Sequence, residues 1–235
     1  MAKKMRKQAG RLYFSQNDII RPLGGFLLVA GLVWFYVGFS YASYIGPCIM
    51  VPVGLALFIV GSSRHISDND MTGECEHLLE GYDKAVTDME DYDRVVLKQP
   101  ADVATTAYSF GEDAALFKKA KGGSVISDIL VRSHFFFTKE ALLVCARRVS
   151  LTDMDVESGV GFTDVGGQFA FADMGACRIE EGTGTVTLTN SKKPATVHRC
   201  ELVIEGKDGA GELLRLPVGN DMDMSNLCEA VNRLI

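Results

Sequence analysis

The chain has 235 residues and a formal charge of −6, with 47% hydrophobic and 23% charged residues and a mean hydropathy of +0.12. Its length allows one or two domains, but from Pro22 to Ser63 there are 42 consecutive positions without Asp, Glu, Lys, Arg or His. Such a segment excludes an ordinary soluble enzyme.

Charge divides the chain as sharply. Residues 1–21 carry Lys3, Lys4, Arg6, Lys7, Arg11 and Arg21 against Asp18, a balance of +5, which leaves −11 for the remainder. A nucleic-acid binder would place its basic patch on the folded domain, so this distribution points to a membrane-anchored protein with no nucleic-acid partner. The expected organisation is a basic cytoplasmic tail over 1–21 and two transmembrane helices within 22–63. An acidic amphipathic linker helix follows over 64–100, then a folded domain over 101–235. The six basic tail residues are the candidates for contact with anionic membrane.

Leu23 to Ala42 and Ile45 to Val60 are each apolar enough to cross a bilayer, the second extended by Gly61, Ser62 and Ser63. About 20 residues at 1.5 Å each span the hydrocarbon. Ser43-Tyr44 and Gly46-Pro47 suit a reversal, and Trp34, Tyr36, Tyr41 and Tyr44 suit the outer interface. The result is a helical hairpin. Lys and Arg flank its two ends and are absent from its turn, so the positive-inside rule puts both termini in the cytoplasm of a multi-pass cell-membrane protein. The apolar run is longer than a signal-peptide core, and a second span follows at once. Gly24, Gly31, Gly38 and Gly54 are the candidate packing positions, since small residues let membrane helices approach closely. Either the two spans pack on each other, or the glycines form a face for another membrane protein. Neither span holds an ionisable residue, which argues against an ion pathway.

Beyond Arg64, the positions Cys75, Leu78, Leu79, Tyr82, Ala85, Val86, Met89 and Val96 fall at helical spacing. Asp70 or Thr72 would cap the helix start. Its other face carries eight acids from Glu74 to Asp93, whose order does not match a calcium-binding loop; they read as a solvated face. The apolar stripe would rest on the next domain or on a second copy.

Pro100 ends that region. Val103 to Phe110 reads as a strand, and Glu112 to Lys121 as a short helix or loop. Val125 to Phe137, Ala141 to Ala146, Gln168 to Ala172, Cys177 to Ile179, Thr183 to Thr189, Val197 to Glu205 and Glu212 to Leu216 form a strand series. Turns are expected at Thr138-Lys139-Glu140, Gly166-Gly167, Gly182-Thr183-Gly184, Asn190-Ser191 and Lys207-Asp208-Gly209. A closing helix with Met224, Leu227, Val231 and Leu234 on one face, capped by Asp221 or Asp223, must cover an opening of the sheet. The expected fold is a membrane α-hairpin plus an α+β domain, an antiparallel β-barrel or sandwich capped by a C-terminal helix.

About seven strands and then one amphipathic helix resembles the pleckstrin-homology-like (PH-like) fold. His134 to Cys145, Phe169 to Ile179 and Met224 to Ile235 look like the paired strands, the bend and the final helix of bacterial PH-like and GRAM-like domains. The resemblance covers roughly residues 101–235 and is similar in pattern to bacterial membrane-anchored proteins that join two spans to such a domain and are generally not enzymes. It departs from the pattern in the Gly-rich loop around Gly159–Gly167. The resemblance implies a non-catalytic adaptor or scaffold that binds a protein partner or a second copy of itself. The alternatives are an accessory subunit held through its spans, or lipid-headgroup binding by the domain.

Chemistry-bearing motifs are missing. The glycines at 159, 161, 166 and 167 precede a strand rather than a helix N-terminus, so they do not make a phosphate cradle. Cys48, Cys75, Cys145, Cys177, Cys200 and Cys228 have no zinc spacing, and His65, His77, His134 and His198 belong to no catalytic motif. No metal, cofactor or catalytic residue is expected. For lipid headgroups, Arg132, Lys139, Arg147 and Arg148, with Lys118, Lys119 and Lys121, are the basic candidates, but they lack the clustering such a site needs.

Overall fold

The computed structural model describes residues 10–15, 19–38, 45–63, 66–87, 103–153, 161–220 and 222–235. After a short helical segment at 10–15 come α1 (Ile20–Gly38) and α2 (Ile45–Ser63), both long and apolar enough to cross a membrane. At 19 residues each they measure about 28 Å. They pack as a hairpin at close range. A β carbon on Gly54 would lie 2.6 Å from the Leu28 nitrogen, one on Gly31 2.8 Å from Val51 Cγ2, and one on Gly24 against the Phe58 nitrogen. Large apolar side chains such as Phe26, Val29, Val33, Ile49 and Val53 point outward. The expected reversal at Ser43-Tyr44, with Tyr41, lies outside the described residues.

Helix α3 (Asp68–Thr87) follows. Its start is capped by Ser67, not by Asp70 or Thr72. The Asp70 N–H donates to Ser67 Oγ at 3.1 Å, and the Ser67 N–H donates to Asp70 Oδ2 at 3.1 Å, a reciprocal capping box. Positions 88–102, including Met89 and Val96, lie outside the described residues.

Among the described residues nine strands then form three antiparallel sheets. The first, in the order β1-β4-β5-β6, contains β1 (Val103–Tyr108), β4 (Ile129–Phe137), β5 (Ala141–Ser150) and β6 (Phe162–Ala170). A small hairpin of β2 (Phe117–Lys119) and β3 (Val125–Ser127) lies between β1 and β4 in sequence. The third sheet, β7-β8-β9, contains β7 (Met174–Thr187), β8 (Pro194–Gly206) and β9 (Glu212–Pro217). Helix α4 (Met222–Asn232) closes the chain. The part over 112–121 is thus a strand with its approach, not a helix, and the run 125–137 is broken at Asp128.

Two expected turns lie inside strands. Gly166-Gly167 belongs to β6, where Gly166 sits opposite Cys145. Its φ of +133° and its approach to the Val144 carbonyl leave no room for a β carbon, so glycine is required there by the strand itself. Gly182-Thr183-Gly184 lies mid-strand in β7, paired with Arg199-His198-Val197. Gly184 leaves space for the Arg199 side chain, whose guanidinium would lie 3.1 Å from a β carbon there.

The first sheet is covered on both faces, which accounts for the almost unbroken apolar run of β4. Val131, Phe135 and Phe137 face a core shared with Leu142, Val144, Leu202, Ile204, Leu216 and the α4 residues Met224, Leu227 and Val231. The alternate residues face α3. Leu130 packs with Met71, Cys75 and Leu79, and Phe136 with Tyr82 and Val86. Period-two alternation in the strands meets the period-3.6 stripe of the helix.

The segment 10–15, ahead of the first span, is part of this second core. Tyr13 and Phe14 are fully buried beside Met71, Ile126, Leu130 and Leu151. Tyr13 donates from its hydroxyl to Asp68 Oδ1 at 2.9 Å, and Lys118 Nζ lies 4.0 Å from the centre of its ring.

Candidate functional site: a cleft beside the β1 edge

A cleft of about 640 Å3 opens between the edge of the first sheet and the end of the third. Thr106, Ala107 and Tyr108 of β1 form one wall, with Phe110 and Val125 beyond them. Glu181 to Thr183 of β7, His198 to Cys200 of β8 and Val218 to Asn220 form the other. The Gly219 N–H donates to Thr105 Oγ1 at 2.9 Å and ties the two walls together.

Among the described residues β1 pairs with β4 alone, so its second edge borders the cleft. The Ser109 N–H donates to the Ile129 carbonyl at 2.9 Å, which makes that a hydrogen-bonded pair. Antiparallel pairs alternate, and in the register Ala107↔Val131 and Thr105↔Ser133 residues 107 and 105 also bond to β4. The N–H and C=O groups of Thr106 and Tyr108 therefore point the other way, along the cleft wall.

The polar groups are already engaged with one another in part. Asn220 donates from Nδ2 to Glu181 Oε1 at 3.0 Å, and the Cys200 thiol lies 4.0 Å from the Gly219 carbonyl oxygen. Cys200, His198 and Glu181 are thus neighbours in the cleft. Burial pushes the Tyr108 phenol up to about 12, with Cys75 and Asp68 adding to it, so that hydroxyl is protonated at neutral pH. Arg199 Nε is buried without a hydrogen-bond partner among the described residues. Sequence reasoning passed over this cleft because its residues come from five segments and form no motif. The closely spaced pair Gly182 and Gly184 was the one local signal.

A second polar cluster joins α3 to the sheet. Asp83 accepts from Arg132 Nε at 2.9 Å and Nη2 at 2.8 Å, and its Oδ1 lies 2.7 Å from His134 Nε2. Burial alone would push the Asp83 carboxyl up. The hydrogen bonds and charges of Arg132 and His134 outweigh it and hold that carboxyl below its ordinary value. Arg147 lies over the Tyr82 ring at 4.4 Å and donates to Asp164 at 2.6 Å.

The tail candidates are distributed differently from a free basic arm. Arg11 donates to the Thr152 carbonyl at 3.1 Å and pairs with Asp153, so it is docked on the turn after β5. Arg21 is exposed near the start of α1, beside Gly61. Lys3, Lys4, Arg6 and Lys7 lie outside the described residues. Gly24, Gly31 and Gly54 meet within the α1–α2 contact, and Gly38 ends α1. Of the basic headgroup candidates, Arg132, Arg147 and Arg148 are paired with Asp83, Asp164 and Asp113, and Lys118 is buried. Among the described residues no group of three His, Cys, Asp or Glu could hold a metal ion.

Comparison with protein families, with curated proteins and with solved structures found no match for this chain.

Proposed function

We propose that this chain is a non-catalytic membrane adaptor, anchored by α1 and α2, whose cytoplasmic PH-like domain docks an extended segment of a partner protein on the β1 edge. The observation that carries the reading is the edge of β1 that no strand covers among the described residues, lying along a cleft of about 640 Å3. Strand addition supplies main-chain hydrogen bonds for affinity and side-chain pockets for selectivity. An order of four strands, three strands and a closing helix, with one small hairpin inserted, supports the PH-like assignment. Fold alone does not fix function, so the weight rests on the edge.

The flanks of the hairpin support the topology. Residues just before α1 and just after α2 share one core, since Tyr13, Phe14 and Met71 pack together. Both ends of the hairpin would then lie on the domain's side of the bilayer, and the flanking Lys and Arg make that side the cytoplasm. The accessory-subunit reading needs a free glycine face on the spans, whereas Gly24, Gly31 and Gly54 are taken up within the hairpin.

The test is affinity purification of the full-length chain from its native membrane in mild detergent, as wild type, Thr106→Val and Thr106→Pro. Both substitutions remove the hydroxyl that accepts from Arg132 Nη1 at 2.8 Å. Only proline removes the outward N–H, and an edge position tolerates it. A stoichiometric partner should survive Thr106→Val and weaken about tenfold with Thr106→Pro, the size of one lost main-chain bond plus local misfit. Equal retention by both variants, with unchanged thermal unfolding, would overturn the proposal.

A further inference from the structure

The thiols of Cys177 on β7 and Cys228 on α4 are in contact, Sγ to Sγ at 3.4 Å, in the core where the closing helix meets the third sheet. Their backbones are fixed by a separate device. The Cys177 N–H donates to Asn232 Oδ1 at 2.9 Å, and Asn232 Nδ2 donates back to the Cys177 carbonyl at 2.7 Å. Asn232 is one helical turn beyond Cys228, so the two side chains share a face of α4. The amide thus completes the backbone pairing of β7 at this position and holds the two sulfurs opposite each other.

We infer that Cys177 and Cys228 form a reversible peroxide-responsive dithiol, whose oxidation staples α4 to the third sheet. The oxidation runs in two steps, with peroxide taking both electrons in the first. Cys228 sulfur attacks one peroxide oxygen, the O–O bond breaks, and the leaving oxygen departs as water with the thiol proton, giving a sulfenic acid. Cys177 sulfur then attacks Cys228 sulfur, the S–O bond breaks, and a second water leaves with the Cys177 proton. One peroxide is reduced, two thiols are oxidised, and rotation of the side chains closes the gap to a bond of about 2.05 Å.

The acid–base asymmetry matches these roles. The hydrogen bond from Cys177 lowers the Cys228 thiol despite its burial, while that same bond and burial raise Cys177. The more acidic sulfur is the one that meets peroxide, and its neighbour is placed to resolve the sulfenic acid. Elsewhere, burial pushes Cys75 up to about 12 and raises Cys145, which slows their oxidation. In a reducing compartment a disulfide of this kind serves as a transient sensor rather than a permanent brace.

The experiment uses the full-length chain in detergent micelles, reduced and freed of reductant, then treated with hydrogen peroxide and quenched with N-ethylmaleimide under denaturing conditions. Non-reducing digestion and mass spectrometry should recover a Cys177–Cys228 linked peptide as the main disulfide, reversed by dithiothreitol. The melting temperature should rise by about 5 °C, as expected for a cross-link that constrains the unfolded chain. Cys228→Ser should lose both the linked peptide and the peroxide-induced rise. If the wild type instead keeps Cys177 and Cys228 alkylatable, or converts Cys228 to sulfinic acid without cross-linking, the inference is wrong. The wild-type chain decides it even if the serine variant folds poorly.

Discussion

At Asp83 a single carboxylate meets the Arg132 guanidinium and the His134 ring, tying a helix to the strand beneath it. The side chain is 32% exposed, so its loss should cost less than the several kcal/mol of a fully buried pair. Asp83→Asn is expected to destabilise the protein by about 2 kcal/mol at neutral pH, read by chemical denaturation. The sign with pH follows from its depressed folded-state value. Its contribution is present above the ordinary carboxylate range near 4 and is lost as pH falls through the lower folded value. Wild type and Asp83→Asn should therefore begin to converge in stability below about pH 4 and meet only once the pH has fallen through the folded-state value. Asp164, held down by the hydrogen bonds of Arg147, acts in the same direction. The span glycines make a different residue-scale prediction. Gly54→Val would place branched carbons against the Leu28 backbone, force the helices apart and lower the melting temperature of the detergent-solubilised chain.

Among elements, α3 takes the first of its two expected positions, on the domain, while the segment 10–15 reads differently in structure than in sequence. The stripe Cys75, Leu79, Tyr82, Val86 was visible from its period, and it lies on the domain's own sheet. The tail was legible only as charge, because Tyr13 and Phe14 are two apolar residues among many polar ones and carry no periodicity. Their burial depends on a groove built by residues more than fifty positions later. Phe14→Ala should cost about 3–5 kcal/mol, as for other buried aromatics, and should raise protease sensitivity in both the tail and α3. The hairpins β4–β5 and β7–β8 were recoverable from turn signals at Thr138-Lys139-Glu140 and Asn190-Ser191. Gly166 and Gly182–Gly184 misled because glycine in a strand serves close backbone approach and side-chain crossing as well as turning. Beyond the pair Gly182 and Gly184 the cleft left no mark in the sequence, since a strand edge is a property of topology, not of composition.

For the whole molecule, the account joins a hairpin long and apolar enough to cross a membrane to a domain that uses both flanks of that hairpin as core. If the hairpin crosses the bilayer, a domain so tethered lies close to it, and a partner strand added at β1 would be held near the surface. The measurement that tests this most directly is site-specific photo-crosslinking in intact native cells. A photoreactive residue replaces His198 in the cleft, Phe26 on the outward face of α1, or Glu212 on the far sheet edge. The account predicts one discrete protein adduct from position 198, none from 212, and only lipid adducts from 26. A protein adduct from position 26 with a silent position 198 would contradict it and make the spans, rather than the domain, the binding element.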